Sequence, residues 1–322
     1  MSVATYQFRL EEPLEAEAIR IFRSQVNRAR RELKQPSDHA IHSARKAIKR
    51  ARAFLRLFQG FLSQPRFDAL DDDLRSVGRD LAPVRDCAVA LAILERLAGE
   101  DALGKAVEEP LRVYVEAKHS TATIELVAND QVEELRSKLK IMRLRPEELV
   151  GFSARSFHYG LARTYSRGRE RLALAVEHHS VEALHAWRRQ VKHLGYQIRL
   201  LSPAWPVVLR PTARAFDTLS EALGDDHDLA ELVSLATEAN LSADALRAVQ
   251  RVARKRRKVL QKMAWPLGAR IYAEAAGPFA ERLTVYLAAA LAEEQGEPLQ
   301  PLDGMALAAP VNGPHKPVLT IS

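Results

Sequence analysis

The stretch HSARKAIKRARAFLR, residues 42–56, decides the fold. Six lysines and arginines and one histidine fall within fifteen residues, with no acid among them. Good helix formers run through it, and neither Gly nor Pro breaks it. At about 100° per residue, His42, Arg45, Lys46, Lys49, Arg52 and Arg56 share one broad face. Ile41, Ala44, Ile48, Ala51, Leu55 and Phe58 share another. The pattern predicts a core helix with a cationic back. Like charges four residues apart cost roughly a few tenths of a kcal/mol per pair. A solvated face normally mixes both signs, so an unrelieved ladder points to an anionic ligand.

The ladder recurs. His42 is followed by Arg45, Lys46, Lys49 and Arg56, and His185 by Arg188, Arg189, Lys192 and Arg199, at the same offsets. With 48 basic residues in 322, four such matches have a chance of roughly one in two thousand by composition. The 143-residue shift also carries Arg20 onto Arg163 and Arg28 onto Arg171. One residue shorter, it aligns LAPVRDCAV (81–89) with LGDDHDLAE (223–231), placing Arg85 on His227 and Asp86 on Asp228. In the second copy Leu184, Trp187, Val191, Leu194 and Ile198 form the apolar stripe. The chain reads as a duplicated helical bundle with about four helices per copy.

The remainder is all-α in pattern. No segment shows the period-two alternation of a strand. Helical patterns run over about 12–35 and 38–62, from 65 to an interruption around Pro83, and then over about 84–98, 101–143, 146–178 and 181–201. A proline loop at Pro203, Pro206 and Pro211 follows, then helices near 211–223, 228–240, 242–275 and 278–294. Asp228 with Glu231 reads as a capping box opening one of them. Further basic steps at four-residue spacing include Arg163–Arg167–Arg171 and Arg75–Arg79, and RVARKRRKVLQK (251–262) is another dense run. Residues 295–322, rich in Pro and Gly, are expected to be disordered.

The formal net charge of +7 favours anionic partners. Cys87 is the sole cysteine, which excludes an internal disulfide and fits a reducing cytoplasm. The N-terminus lacks a secretory pattern, and runs such as AVALAIL (88–94) are too short to span a bilayer. The expectation is a soluble cytoplasmic protein without a membrane partner.

IHSARKAIKRARAFLRLF, LAPVRDCAV, LHAWRRQVKHLGYQIRLL and LGDDHDL resemble the CHAD family, the conserved-histidine α-helical domain. The resemblance covers about residues 8–294. It implies two four-helix bundles, 8–143 and 146–294, related by a pseudo-twofold around a basic central groove or pore that binds inorganic polyphosphate. His42 and His185 would open the two ladders. Arg45, Lys46, Lys49, Arg52, Arg56, Arg188, Arg189, Lys192 and Arg199 would contact phosphoryl oxygens, with Arg79, Arg85 and Arg163 in support. Ala82 and Cys87 depart from the family's usual residues. No triphosphate-tunnel catalytic domain is recognisable, and no cofactor is implied. Polyphosphate offers a regular row of charges and no base to read. Arginine supplies a planar fork for its oxygens and lysine a mobile charge. A bound anion would also raise the histidine pKa values.

Nucleic acid is the competing ligand. The basic faces lack interleaved aromatics apart from Tyr196, Tyr165 and Trp187, and Trp187 falls on the apolar stripe. An enzyme reading would use a histidine as phosphoryl acceptor, or Asp225, Asp226, His227 and Asp228 as a metal site, but no phosphate loop or HExxH motif accompanies them. His178, His179 and His193 read as surface residues. A scaffold role on polyphosphate granules is compatible with binding.

Overall fold

Two serines start the two ladder helices. The side chain of Ser37 accepts a hydrogen bond from the Ala40 backbone N–H, and that of Ser180 from Ala183. Each satisfies a donor that the first helical turn leaves open. A computed structural model describes residues 6–296. Its helices, in chain order, are α1 (Leu14–Glu32), α2 (Asp38–Leu55), α3 (Gln64–Asp80), α4 (Ala82–Gly99), α5 (Lys105–Val127) and α6 (Gln131–Ile141). They continue with α7 (His158–His178), α8 (Val181–Leu201), α9 (Pro206–Glu238), α10 (Ala243–Ile271) and α11 (Ala276–Glu294). Short 3-10 turns join several of these, and no strand occurs among the described residues.

Helices α2 and α8 pack on each other at the centre of the fold. Around them, α1 and α3 adjoin α2, and α7 and α9 adjoin α8. The apolar stripes expected from the periodicity are buried in both helices. Further buried residues lie off these stripes, among them Ala47, Ala53 and Phe54 on α2 and Gly195, Tyr196 and Gln197 on α8, because each helix is covered on more than one side. Gln197 Nε2 donates to the Ala53 carbonyl at 3.0 Å and pins α8 to α2 through a buried hydrogen bond. Helix α7 meets the turn after α2 backbone to backbone. A Cβ at Gly160 would lie 2.4 Å from the Arg56 carbonyl oxygen and 2.5 Å from that of Leu57.

The apolar core does not divide at residues 143–146. The larger cluster joins α1, α2 and α3 to α7, α8 and α11. A smaller one joins Ile93, Leu94 and Leu97 of α4 and Leu111 and Val115 of α5 to Leu229, Leu232 and Leu235 of α9 and Val249 of α10.

Several expected boundaries are corrected. The proline loop before α9 is short, since Pro206 opens the helix and Pro211 sits inside it. No helix begins at Asp228, because α9 runs unbroken from 206 to 238. The pattern from Pro146 is two 3-10 turns, with α7 starting only at His158. The tail expected to be disordered lies, from residue 297 on, outside the described residues.

Candidate anion-binding site

The cationic backs of α2 and α8 meet where the helices cross. Arg45, Lys49, Arg188 and Lys192 lie within electrostatic reach of one another. Lys49 keeps contact with solvent although protein encloses it on most sides. That enclosure, followed by repulsion from Arg45, Arg188 and Lys192, pushes its pKa down to about 7. Burial likewise lowers Lys192, helped by Arg188.

The two central arginines are anchored alike. Arg45 donates to the Gly78 carbonyl at 2.9 Å and lies 3.7 Å from Asp86. Arg188 lies 4.0 Å from Asp228 and passes close to Gly224, where a Cβ would sit 3.2 Å from its Nη2. Both retain a buried Nε–H without a protein acceptor. A desolvated donor of this kind is costly until something accepts from it.

Beside them, the Nδ1 atoms of His185 and His227 are 3.1 Å apart. Burial and then the Arg189 and Arg188 charges push His185 down to about 4. Burial, then His185 and Arg188, push His227 down to about 3. Both rings are therefore neutral at pH 7, so one donates to the other. His42 is exposed at the start of α2, and burial of part of the ring with the nearby Arg85, Lys46 and Lys49 charges lowers its pKa.

Two flanks extend from this centre. On one, Asp71 of α3 accepts from Arg52 at 2.9 and 3.1 Å, from Arg56 at 2.9 and 3.3 Å and from Arg75 at 2.8 Å. These guanidiniums hold its carboxyl well below the usual range, against the opposing effect of burial. Arg189 adjoins Arg171, Arg52 and Arg75. Arg163 donates to the Tyr159 hydroxyl at 2.7 Å and neighbours Arg167. On the other flank Lys46, Arg50, Arg199 and Arg28 gather, and Arg199 pairs with Asp217. Arg85 reaches the centre near His42 and Arg45. Arg79 stands apart, exposed and without a hydrogen bond or ion pair among the described residues.

Sequence reasoning missed the counter-charges. Asp71, Asp86, Asp217 and Asp228 come from α3, α4 and α9, so the ladders are partly relieved from outside their own helices. Arg52, Arg56 and Arg199 already hold carboxylates, whereas Lys46, Lys49, Arg189, Lys192 and Arg85 form no ion pair among the described residues. His193 is half-buried instead of exposed: Arg52, Arg56, Asp71 and Arg189 lie around it, and burial holds it well below its ordinary pKa. His227 was visible as the position aligned with Arg85 and as part of the DDHD segment, but its pairing with His185 was not.

The DDHD segment is split among separate partners. Asp226 accepts from Arg257 at 3.1 and 3.2 Å and from Gln261 at 2.7 Å. His227 meets His185, and Asp228 faces Arg188. Among the described residues no group of three or more His, Cys, Asp or Glu side chains is placed to hold a metal ion. The three aromatics singled out near the ladders are not free to stack on a base. Trp187 is buried against Trp265, Tyr165 against Phe279, and Tyr196 lies under Arg50. No helix among the described residues is long and apolar enough to cross a membrane.

Fold and site together define an all-helical protein whose two ladder helices, one from each half, share a cationic surface. The CHAD domain family model matches residues 17–237, and the chain belongs to that family. Among solved structures, PptA from Streptomyces chartreusis superposes with a TM-score of 0.55 at 16% identity, over 80% of this chain and 100% of that one. The crystal structure of the CHAD domain from the plant Ricinus communis superposes with a TM-score of 0.53 at 18% identity, over 90% and 96%. At these identities the likeness concerns the fold alone. No curated protein matches the chain.

Proposed function

We propose that the protein binds inorganic polyphosphate non-covalently, along a basic groove built by α2 and α8, and does not turn it over. The observation that carries this reading is the crowding of Arg45, Lys49, Arg188 and Lys192, with Lys49 driven down to about 7 by enclosure and like charge. Such an arrangement costs folding free energy, and a bound anion relieves it. CHAD membership supports the identity of that anion. A linear polymer of phosphates also suits the shape, since the cations extend along two flanks instead of surrounding one closed cavity.

The two halves act as duplicated copies in this proposal. Arg45 with Asp86 at 3.7 Å and Arg188 with Asp228 at 4.0 Å occupy positions that the internal alignment makes equivalent. The protein would act in the cytoplasm, and binding would place it on polyphosphate granules. Nucleic acid fits less well because Trp187, Tyr165 and Tyr196 are all buried.

The test is charge reversal. Arg45→Glu with Lys49→Glu, and separately Arg188→Glu with Lys192→Glu, should abolish polyphosphate binding while circular dichroism and melting show an intact fold. Binding retained in both doubles refutes the assignment. Long polyphosphate should displace duplex DNA from the wild type at equal charge concentration, with affinity falling steeply as salt rises.

A further inference from the structure

The basic run 251–262 is not absorbed by the site just described. It lies on α10, and its exposed members form a stripe. At 100° per residue, Arg251, Arg254, Lys255, Lys258 and Lys262 fall within an arc of about 100° on the face away from the buried Val249, Ala253 and Ala264. The stripe rises about 16 Å along the helix. All five side chains are exposed, and none has a hydrogen bond or ion pair among the described residues. No acid occurs between 245 and 273. Like charges four apart at 251/255, 254/258 and 258/262 therefore oppose the helix with no acid of their own helix beside them.

The stripe is joined to the central site through Arg257. That guanidinium binds Asp226 of α9, and its charge is felt by the neighbouring His227. His227 in turn touches His185 beside Arg188. Arg254 precedes Arg257 by three residues and Lys258 follows it, so the stripe begins beside a residue that Asp226 and the histidine pair link to Arg188. A short anion held by α2 and α8 would not reach this face. The overhang of a long one would.

We infer that the outer face of α10 is an extension of the anion track that engages the overhang of long linear polyphosphates and so makes the protein discriminate by chain length. The inference rests on the polyphosphate reading and adds to it a selectivity and the residues responsible.

The experiment uses the full chain as wild type and as Arg254→Glu with Lys258→Glu. The probes are polyphosphates of about ten and of several hundred phosphates, at matched phosphate concentration and several salt concentrations. Variant is compared with wild type for each probe, because a long chain offers more binding registers whatever the surface. The expected result is an affinity for the short chain within about twofold of wild type, with the long chain weakened about tenfold or more. The salt slope for the long chain should also become shallower, as loss of phosphate contacts requires. Equal weakening for both lengths, or none for the long chain, overturns the inference. A loss confined to duplex DNA, with long polyphosphate unaffected, overturns it too and makes α10 a nucleic-acid surface. If wild type binds neither polyphosphate, it is the underlying functional reading that fails, which this design separates from failure of the extension.

Discussion

Lys49 makes binding depend on pH in a range where the measurement is simple. In the free protein its pKa is pushed down to about 7 by enclosure and by Arg45, Arg188 and Lys192. It is then about 90% charged at pH 6 and about 10% charged at pH 8. A polyanion on the same surface stabilises the ammonium, so the complex keeps the proton at both pH values. Binding at pH 8 must therefore take up a proton that binding at pH 6 finds in place. The ratio of the two free-state terms gives about tenfold as an upper bound, and because the Lys49 side chain is exposed, solvent screening reduces the expected weakening at pH 8 to about a few-fold. Titration calorimetry with a long polyphosphate, whose internal phosphates stay ionised throughout, checks this at fixed ionic strength. Buffers of different ionisation enthalpy should reveal uptake approaching one proton per complex at pH 8. Lys49→Arg keeps the charge and should flatten the profile. Any part due to His185 and His227, pushed down to about 4 and about 3, steepens the acid end and survives in that variant. An identical pH slope in wild type and Lys49→Arg would refute the reasoning. The same shift has the opposite consequence for the free fold. A lysine whose folded pKa lies below its unfolded value of about 10.4 destabilises the protein most below pH 7, and the penalty fades as pH rises toward that unfolded value.

Other changes separate the roles of the surrounding residues. Asp71→Asn leaves Arg52 and Arg56 largely buried without their carboxylate and should destabilise the protein by roughly 3 kcal/mol, read from urea unfolding. Because the folded carboxyl is held far below normal, wild type retains this contribution above about pH 4 and loses it only as pH falls further, a loss the variant lacks. Gly160→Ala drives a Cβ into the Arg56 and Leu57 carbonyls and should cost about 1–3 kcal/mol in the same assay, despite alanine's better helix propensity. Arg79→Ala should leave polyphosphate affinity unchanged, because Arg79 is exposed and makes no hydrogen bond or ion pair among the described residues. His42→Ala and His185→Ala should weaken binding less than loss of either central arginine, since both rings are neutral at pH 7.

The sequence was most informative where one helix suffices. The stripes Ile41 to Phe58 and Leu184 to Ile198 repeat with the helical period, and burying them turns the alternate faces outward whatever the neighbours are. The two ladders were legible for the same reason. What could not be read were the acids that answer them. Asp71, Asp86 and Asp217 sit on other helices at separations no periodicity encodes. The DDHD segment misled because aspartates are good helix starters. Here Arg257 and Gln261 capture Asp226 and His185 captures His227, so α9 passes through without a break. His193 looked like a surface residue because its burial depends on α3 and the end of α2 closing over α8.

The placement of those acids also explains why a surface this positive folds and yet stays available. Asp71 and Asp217 secure the flank residues Arg52, Arg56 and Arg199. A guanidinium has five donors, so an arginine that gives two to a carboxylate keeps others and stays oriented for a second anion. At the centre the acids stand back, at 3.7 Å for Asp86 and 4.0 Å for Asp228, and Lys46, Lys49 and Lys192 have none within ion-pair distance. Rigid, pre-oriented arginines therefore bracket mobile lysines with no partner. A single phosphate can relieve only part of such a row. A chain of phosphates would relieve the centre and both flanks together, and on the proposed reading that difference is what would favour a polymer over its monomer.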